Sequence, residues 1–390
     1  MSRPVKILSL DGGGIRGMSS LYILEQVMEK IKAQAPGEDR KPSEYFDLIG
    51  GTSTGGIIAI MLGRLDMDVG DCITAYKDVA SKAFVPKTSP SRLLSRIPGV
   101  PKVPDPEGEF SASALEDAIK LIIRKYCREP TCVQLSEEDK VKRCPHSDKP
   151  FRDGSCPKTA VLAKTKDNVD APPTVLNTYE PSAEFARCTI WQVARATSAA
   201  TTFFKSIKLG RLDMEFIDAG FGNNNPCDVL LGEAKQLFPD ATTFQILSIG
   251  TGLGRVVTVK GRRSILDALA KMVASSTKVA LDMDRHFADS GQYFRFNVDN
   301  GLQDITLSDW EKTSKIVAHT HNYLLTPTVA RKITECASRL IAATAWRDDN
   351  LAGDTVAGEG APQGHLRAVE TDGNPPASRP PTAPGLGSVE

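Results

Sequence analysis

The sequence predicts an α/β fold in which a parallel, doubly wound sheet carries helices on its faces and active loops at its carboxyl edge. Two observations lead there. Short apolar runs alternate with longer stretches of helical periodicity along most of the chain,. Two glycine clusters, Gly12-Gly13-Gly14 and Gly50-Gly51-Thr52-Ser53-Thr54-Gly55-Gly56, each fall where such a run gives way to a helical stretch.

The elements follow in order. Residues 5–10 form an apolar run that stops at Asp11 and the first glycine cluster; Leu21, Leu24, Val27, Met28 and Ile31 then recur at helical spacing until Pro36-Gly37,. Residues 45–49 read as a second strand and residues 57–65 as a buried helix, with a further helix from about Val69 to Phe84. The proline-rich, basic stretch 86–107 reads as a loop. Ser113-Ala114-Leu115-Glu116 has the form of a capping box opening an amphipathic helix through Tyr126,. Residues 127–158 are polar and aperiodic, an irregular insertion. Strands are expected at 160–163, 175–179, 215–218, 244–248 and 292–297, and helices at 189–199, 264–287 and 307–325. From 348 to 390, glycine, alanine, proline and polar residues dominate, which predicts a disordered tail or a linker to further domains,.

Composition bounds the function. The chain has 390 residues, 41% of them hydrophobic, enough for one large domain or two smaller ones,. Its 48 basic and 48 acidic side chains balance, which argues against a nucleic-acid binder,. No secretory leader, lipidation signal or membrane-spanning run is read, and eight cysteines are sparse for this length, so a cytoplasmic setting is expected,.

The chemistry gathers at three places. Gly51-Thr52-Ser53-Thr54-Gly55 is a G-x-S-x-G segment between strand and helix. Flanking glycines permit the sharp turn that lifts a serine hydroxyl clear of the sheet, and the helix N-terminus favours negative charge there,. Gly12-Gly13-Gly14-Ile15-Arg16-Gly17 satisfies the dinucleotide pattern G-x-G-x-x-G. The acidic strand end required about twenty residues later is missing, as is a Walker lysine, so a nest of backbone N–H groups for an oxyanion is the better reading,. Arg16 either steadies that loop, attracts a phosphate, or makes a plain surface salt bridge. Asp218 ends the run Met214-Glu215-Phe216-Ile217-Asp218 before Ala219-Gly220, where a carboxylate can take a proton from a serine on a neighbouring strand; a turn-forming role is the bland alternative,.

In this order the segments resemble the patatin-like phospholipase family, its calcium-independent cytosolic members and fungal patatin-domain proteins in particular. The resemblance is carried by Ile7 to Gly17, Phe46 to Gly56, Trp191 to Ala200, Phe216 to Pro226, Leu247 to Gly252 and Tyr293 to Asn297. It implies a three-layer α/β/α sandwich with a mostly parallel central sheet, related to α/β-hydrolases, over residues 1–347. It further implies a Ser53–Asp218 dyad without histidine and an oxyanion loop at Gly12, Gly13 and Gly14, with Arg16, Gly17, Gly51, Gly55 and Gly220 supporting the motifs. Hydrolysis of phospholipid or glycerolipid esters without cofactor, metal or calcium, during transient contact with a membrane surface, is the implied activity. Two departures are visible: Asp218-Ala219-Gly220 where the family has Asp-Gly-Gly or Asp-Gly-Ala, and Thr201 where it has proline. Alanine is poor at positive φ, so the turn after Asp218 must avoid that region or carry strain.

Other signals compete. Cys127, Cys132, Cys144, His146 and Cys156 lie close in sequence, and three thiols with one imidazole can close a zinc site, but no C-x₂-C pair is present and unliganded thiols are expected,. His286, His319 and His321 follow Asp218 and would give a triad order, yet only two strands precede Ser53 and the last two histidines read as solvated,. Lys260-Gly261-Arg262-Arg263 precedes a helical pattern that is either a membrane-facing element or, preferably, a helix packed on the sheet,. A catalytically weak lipid-binding or signalling module is the alternative to an enzyme.

Overall fold

Alternate residues of the first strand face opposite helix layers, and this alternation builds the core. In a computed structural model that describes residues 3–37, 40–85, 108–252 and 263–354 (181, 202, 289 and 303 apart), β1 (Val5–Leu10) is wholly buried. Val5 and Ile7 join one apolar cluster, Leu8 and Leu10 the other. The same period of two sorts Leu48 from Ile49, Leu162 from Val161 and Ile246 from Leu247,. A sheet buried on both faces needs helices on both, which is the three-layer arrangement.

Among the described residues eight strands make the sheet: β2 (Leu48–Thr52), β3 (Lys158–Thr165), β4 (Thr174–Asn177), β5 (Ile207–Leu209), β6 (Met214–Asp218), β7 (Phe244–Ile249) and β8 (Tyr293–Phe296), with β1 between β2 and β7. The order is β5-β6-β3-β2-β1-β7-β8, and β4 pairs with β3. From β3 to β8 the pairs are parallel; β4, β5 and β6 join antiparallel. The sheet is therefore mostly parallel but not uniformly so, and the antiparallel end matters below.

The helices are α1 (Gly17–Gln34), α2 (Pro42–Tyr45), α3 (Thr54–Ala59), α4 (Val69–Ala83), α5 (Ala112–Lys125), α6 (Pro130–Val133), α7 (Glu137–Arg143), α8 (Ile190–Thr197), α9 (Cys227–Leu237), α10 (Arg263–His286), α11 (Thr313–Leu324) and α12 (Pro327–Asp354). After α3 the backbone loosens into a π-helical stretch, Ile60–Arg64, where Leu65 N–H donates to Ile60 O at 2.9 Å,. In α10, Met272 joins one cluster and Met283 the other, so from Met272 onward one side of the helix packs on the domain; Lys260, Gly261 and Arg262 lie outside the described residues.

Several expectations need correction. The strand expected at residues 45–49 starts only at its fourth residue: Pro42 starts a short helix, Glu44 Oε2 accepts the Lys41 N–H at 2.8 Å, and Tyr45 ends that helix,. The strand begins at Leu48 and takes in Gly50 and Gly51. Gly50 lies so close to α9 that a Cβ there would fall 2.3 Å from Leu230. The cap of α5 is Ser111, whose hydroxyl accepts Ala114 N–H at 3.1 Å, two residues before the expected box. The insertion is not irregular, since α6, α7 and a 3₁₀ turn at His146–Asp148 order it. The short β5, α9 and α12 were not read from sequence. The chain divides into the units Met1–Asp348 and Asp349–Glu390, while α12 runs on to Asp354; the rest of the expected tail and the stretch 86–107 lie outside the described residues.

Candidate active site

Ser53 sits between β2 and α3 with φ 56° and ψ −128°, a conformation few non-glycine residues adopt,. Such a turn persists only where its surroundings hold it. Thr197, the last residue of α8, does so: its Oγ1 accepts the Ser53 N–H at 2.7 Å and donates to Leu162 O in β3 at 2.7 Å. The flanking glycines make room. A Cβ on Gly51 would lie 2.2 Å from Gly55 O, and one on Gly55 would lie 2.4 Å from Leu10 O.

Ser53 Oγ donates to Asp218 Oδ2 at 2.6 Å, and both residues are buried. The carboxylate does not come from a strand next to the serine. β3 lies between β2 and β6, and because β6 runs antiparallel its last residue arrives beside Ala163, at the edge where β2 ends. Gly220 N–H fixes the other oxygen, Oδ1, at 2.7 Å, and Asp218 N–H donates to Ala199 O at 3.1 Å. Burial pushes the Asp218 carboxyl up to about 7, against the Ser53 and Gly220 hydrogen bonds that pull it down,. Ala219 has φ −76° and ψ −4°, so the turn avoids positive φ and the alanine introduces no strain there.

The glycine loop lies against the elbow. A Cβ on Gly12 would fall 3.0 Å from Ser53 Cβ and 2.6 Å from Asn224 Oδ1. The three N–H groups are not equivalent: Gly12 donates to Asn224 O at 3.0 Å, and Gly13 donates to Thr54 Oγ1 at a longer 3.2 Å. Gly14 has φ +56° and lines the pocket above Ser53; its N–H has no partner among the described residues. Gly17 lets Tyr76 approach, since a Cβ there would sit 2.4 Å from its hydroxyl, which donates to Gly14 O.

Arg16 is buried, not part of a surface salt bridge; its Nε has no hydrogen-bond partner among the described residues, and burial lowers its pKa to about 10, with Asp309 opposing. None of the three histidines set against the dyad lines the pocket. His286 and His321 are exposed and His319 half-buried against Gly301.

Sequence reasoning missed the residues that hold the loop. Asp11 is clasped by Arg295 of β8 through two bonds, Nη1 to Oδ1 at 2.7 Å and Nη2 to Oδ2 at 2.6 Å. The Gly12 carbonyl accepts from Asn224 Nδ2 at 3.1 Å and from Thr251 Oγ1 at 2.9 Å. A lone arginine in the apolar strand Tyr293–Phe296 was the available signal for the ion pair. Thr54 and Ser198 also line the pocket, but its walls are mainly apolar, with Phe84, Phe203, Phe204, Phe221, Met272 and Leu307 around Ser53 and Asp218. Phe110 stacks on Phe203 at 6.0 Å and meets Phe84 edge-on at 5.4 Å.

A serine on a glycine-cornered turn, bonded to a buried carboxylate at the edge of an α/β sheet, is an arrangement of the serine-hydrolase class. The chain belongs to the patatin-like phospholipase family, whose sequence model matches residues 8–231. It is 28% identical over 306 residues to the human calcium-independent phospholipase A2-gamma, covering 76% of this chain but only 35% of that protein. With phospholipase A I of Arabidopsis thaliana it shares 26% over 343 residues, 75% of this chain and 24% of that one. Patatin-like protein 2 of the same plant is 29% identical over 273 residues, 64% of this chain and 60% of its own length. The chain thus spans about a third of the phospholipase A2-gamma it matches. The solved structure of VipD from Legionella pneumophila aligns over 91% of this chain and 77% of its own at a TM-score of 0.34 and 11% identity, too little to carry an argument.

Proposed function

We propose that this chain is a serine lipid-acyl hydrolase that cleaves ester bonds of phospholipids or related glycerolipids with Ser53 as nucleophile and Asp218 as base. The observation that carries the reading is the 2.6 Å contact between Ser53 Oγ and Asp218 Oδ2 in an apolar pocket. A carboxyl whose pKa is about 7 accepts a proton near neutral pH and can return it,. Asp218 takes the Ser53 proton as Oγ bonds to the acyl carbon, and passes it to the departing alcohol as the ester bond breaks. Water then attacks the acyl-serine, giving its proton to Asp218, which restores Ser53 as the fatty acid leaves. The Gly14 N–H, helped by that of Gly13, meets the oxyanion, while Gly12 shapes the loop instead of donating to it,. The phenylalanines and Met272 supply an apolar wall for an acyl chain.

Neither calcium nor another cofactor takes part in this cycle. A lipid substrate resides in a membrane, so in this reading the apolar pocket meets it by transient surface contact, in a cytoplasmic setting that suits free thiols; among the described residues no helix is long and apolar enough to cross a membrane. Product analysis of purified wild type and Ser53→Ala on mixed lipid vesicles tests this: fatty acid should be released by wild type alone, and equally with a calcium chelator in excess. If lipid binds without any Ser53-dependent product, the chain is the alternative, a lipid-binding module. Activity abolished by the chelator and restored by calcium would count against the mechanism.

A further inference from the structure

The insertion converges four side chains, near one another in sequence, on a single point. Cys127 follows α5, Cys132 lies in α6, Cys144 caps the end of α7, and His146 opens the 3₁₀ turn. His146 Nδ1 lies 3.4 Å from Cys127 Sγ, 3.4 Å from Cys132 Sγ and 3.5 Å from Cys144 Sγ. All four ligand atoms fall within 4.8 Å of one another, and the three sulfurs are buried. Cys156, which the sequence grouped with them, stands apart and donates to Asp153 O.

Hydrogen bonding does not account for this. An imidazole Nδ1 carries either one proton or one lone pair, so it serves one partner well and not three at equal range. A disulfide does not account for it either: all eight cysteines are free, and a bond would draw one pair to about 2.05 Å and leave the third thiol with the ring,. A central ion does. With Zn–S near 2.3 Å and Zn–N near 2.0–2.1 Å, a tetrahedron has N···S edges of about 3.5 Å and S···S edges of about 3.8 Å. The observed nitrogen–sulfur distances fit those edges.

The surrounding structure needs such a centre. α7 buries no residue, and the apolar cluster of this region consists of the three cysteines with Leu135 packed against them. A segment with so little apolar surface to bury requires a staple to stay ordered. The backbone adds support for thiolate, because His146 N–H points to Cys144 Sγ at 3.4 Å.

We propose that Cys127, Cys132, Cys144 and His146 bind one zinc ion in a closed, structural site. Soft thiolates with one imidazole select zinc over calcium or magnesium, and four protein ligands leave no open position for chemistry. The site shares no residue with the Ser53 pocket. It orders the face of the insertion that grips the domain, where Asp148 accepts from Trp191 Nε1 at 2.8 Å and Phe151 O accepts from Arg64 Nε at 2.9 Å.

The test is elemental analysis of the full chain purified under reducing conditions, with spectroscopy after exchange for cobalt. We expect about one zinc per chain, and for the cobalt form the intense visible bands and sulfur-to-metal charge transfer of a tetrahedral thiolate site. Titrating wild type with a mercurial thiol reagent should release that zinc to a chromophoric chelator, a readout that does not depend on any variant folding. Cys132→Ser and His146→Ala should fall below about a fifth of wild-type zinc and melt roughly 5 °C or more lower, whereas Cys156→Ser and Ser53→Ala keep the full complement. Metal-free protein that takes up no cobalt overturns the proposal. So does zinc that persists undiminished in folded Cys132→Ser and His146→Ala, since it would be bound elsewhere, and so does iron in its place.

Discussion

Around Ser53 the backbone is fixed by burial and close approach: glycines at 12, 51 and 55 admit neighbouring chain where a Cβ would collide, and a strained turn is held by one threonine. In the insertion the reverse holds. α7 buries nothing, its ion pairs are exposed, and three thiols with one imidazole form its centre. The first region gets its order from a sheet that would form anyway, while the second must bring its own. Damage should therefore differ in kind: chemistry lost with the fold intact in one case, local order lost with the chemistry largely intact in the other.

The sharpest way to break that contrast is at the dyad. Ser53→Ala and Asp218→Asn should each lower kcat by roughly 10³-fold or more, and the double variant should be scarcely worse, as for groups that act together. His286→Ala, His319→Ala and His321→Ala should cost less than about tenfold. A folded histidine variant as inactive as Ser53→Ala would replace the dyad with a triad.

Next in size is the support beneath the loop. Arg295→Met leaves Asp11 buried without its partner and should cost about 3–5 kcal/mol in urea unfolding, since an uncompensated charge is expensive where little water reaches,. An unchanged midpoint would show that the pair does not hold the loop.

A smaller effect links activity to stability through pH. The folded pKa of Asp218 is about 7, above the unfolded value, so the stability it contributes is present at low pH and is lost as pH rises towards about 7,. Activity should show the opposite trend, with an acid limb near pH 7. Asp218→Asn cannot ionise and should exceed wild type in stability at pH 8 by on the order of 1 kcal/mol or more. Equal stability there would mean that burial is not what raises this carboxyl.

The smallest effect belongs to the insertion surface. Removing the exposed pair with Lys142→Ala should move Tm by no more than about a degree,. A larger fall would show that surface charge, not the thiol cluster, holds the segment.

These differences also explain what could be read from the sequence. The elbow and the glycine loop were legible because close approach demands glycine at fixed places, and β1 because its apolar run is unbroken by a turn residue. The start of β2 was not: Pro42 and Tyr45 suit a helix cap and a strand about equally, and only the pairing with β1 decides. The unequal roles of Gly12, Gly13 and Gly14 depend on Asn224 and Thr54, far apart in sequence. The thiols and His146 were legible as neighbours, but their convergence on one point and the exclusion of Cys156 were not, since helices α6 and α7 create it and their short polar sequences carry almost no periodicity.

The antiparallel arrival of β6 has one more consequence. Ser53 and Asp218 stand 165 residues apart in the chain, yet their spacing is set by two rungs of the sheet across β3 and not by the chain that joins them. Length between them is therefore free to vary. A change of length between Cys127 and the start of β3 at Lys158 would leave the hydroxyl where it is relative to the carboxylate, because the rungs that hold both lie beyond it.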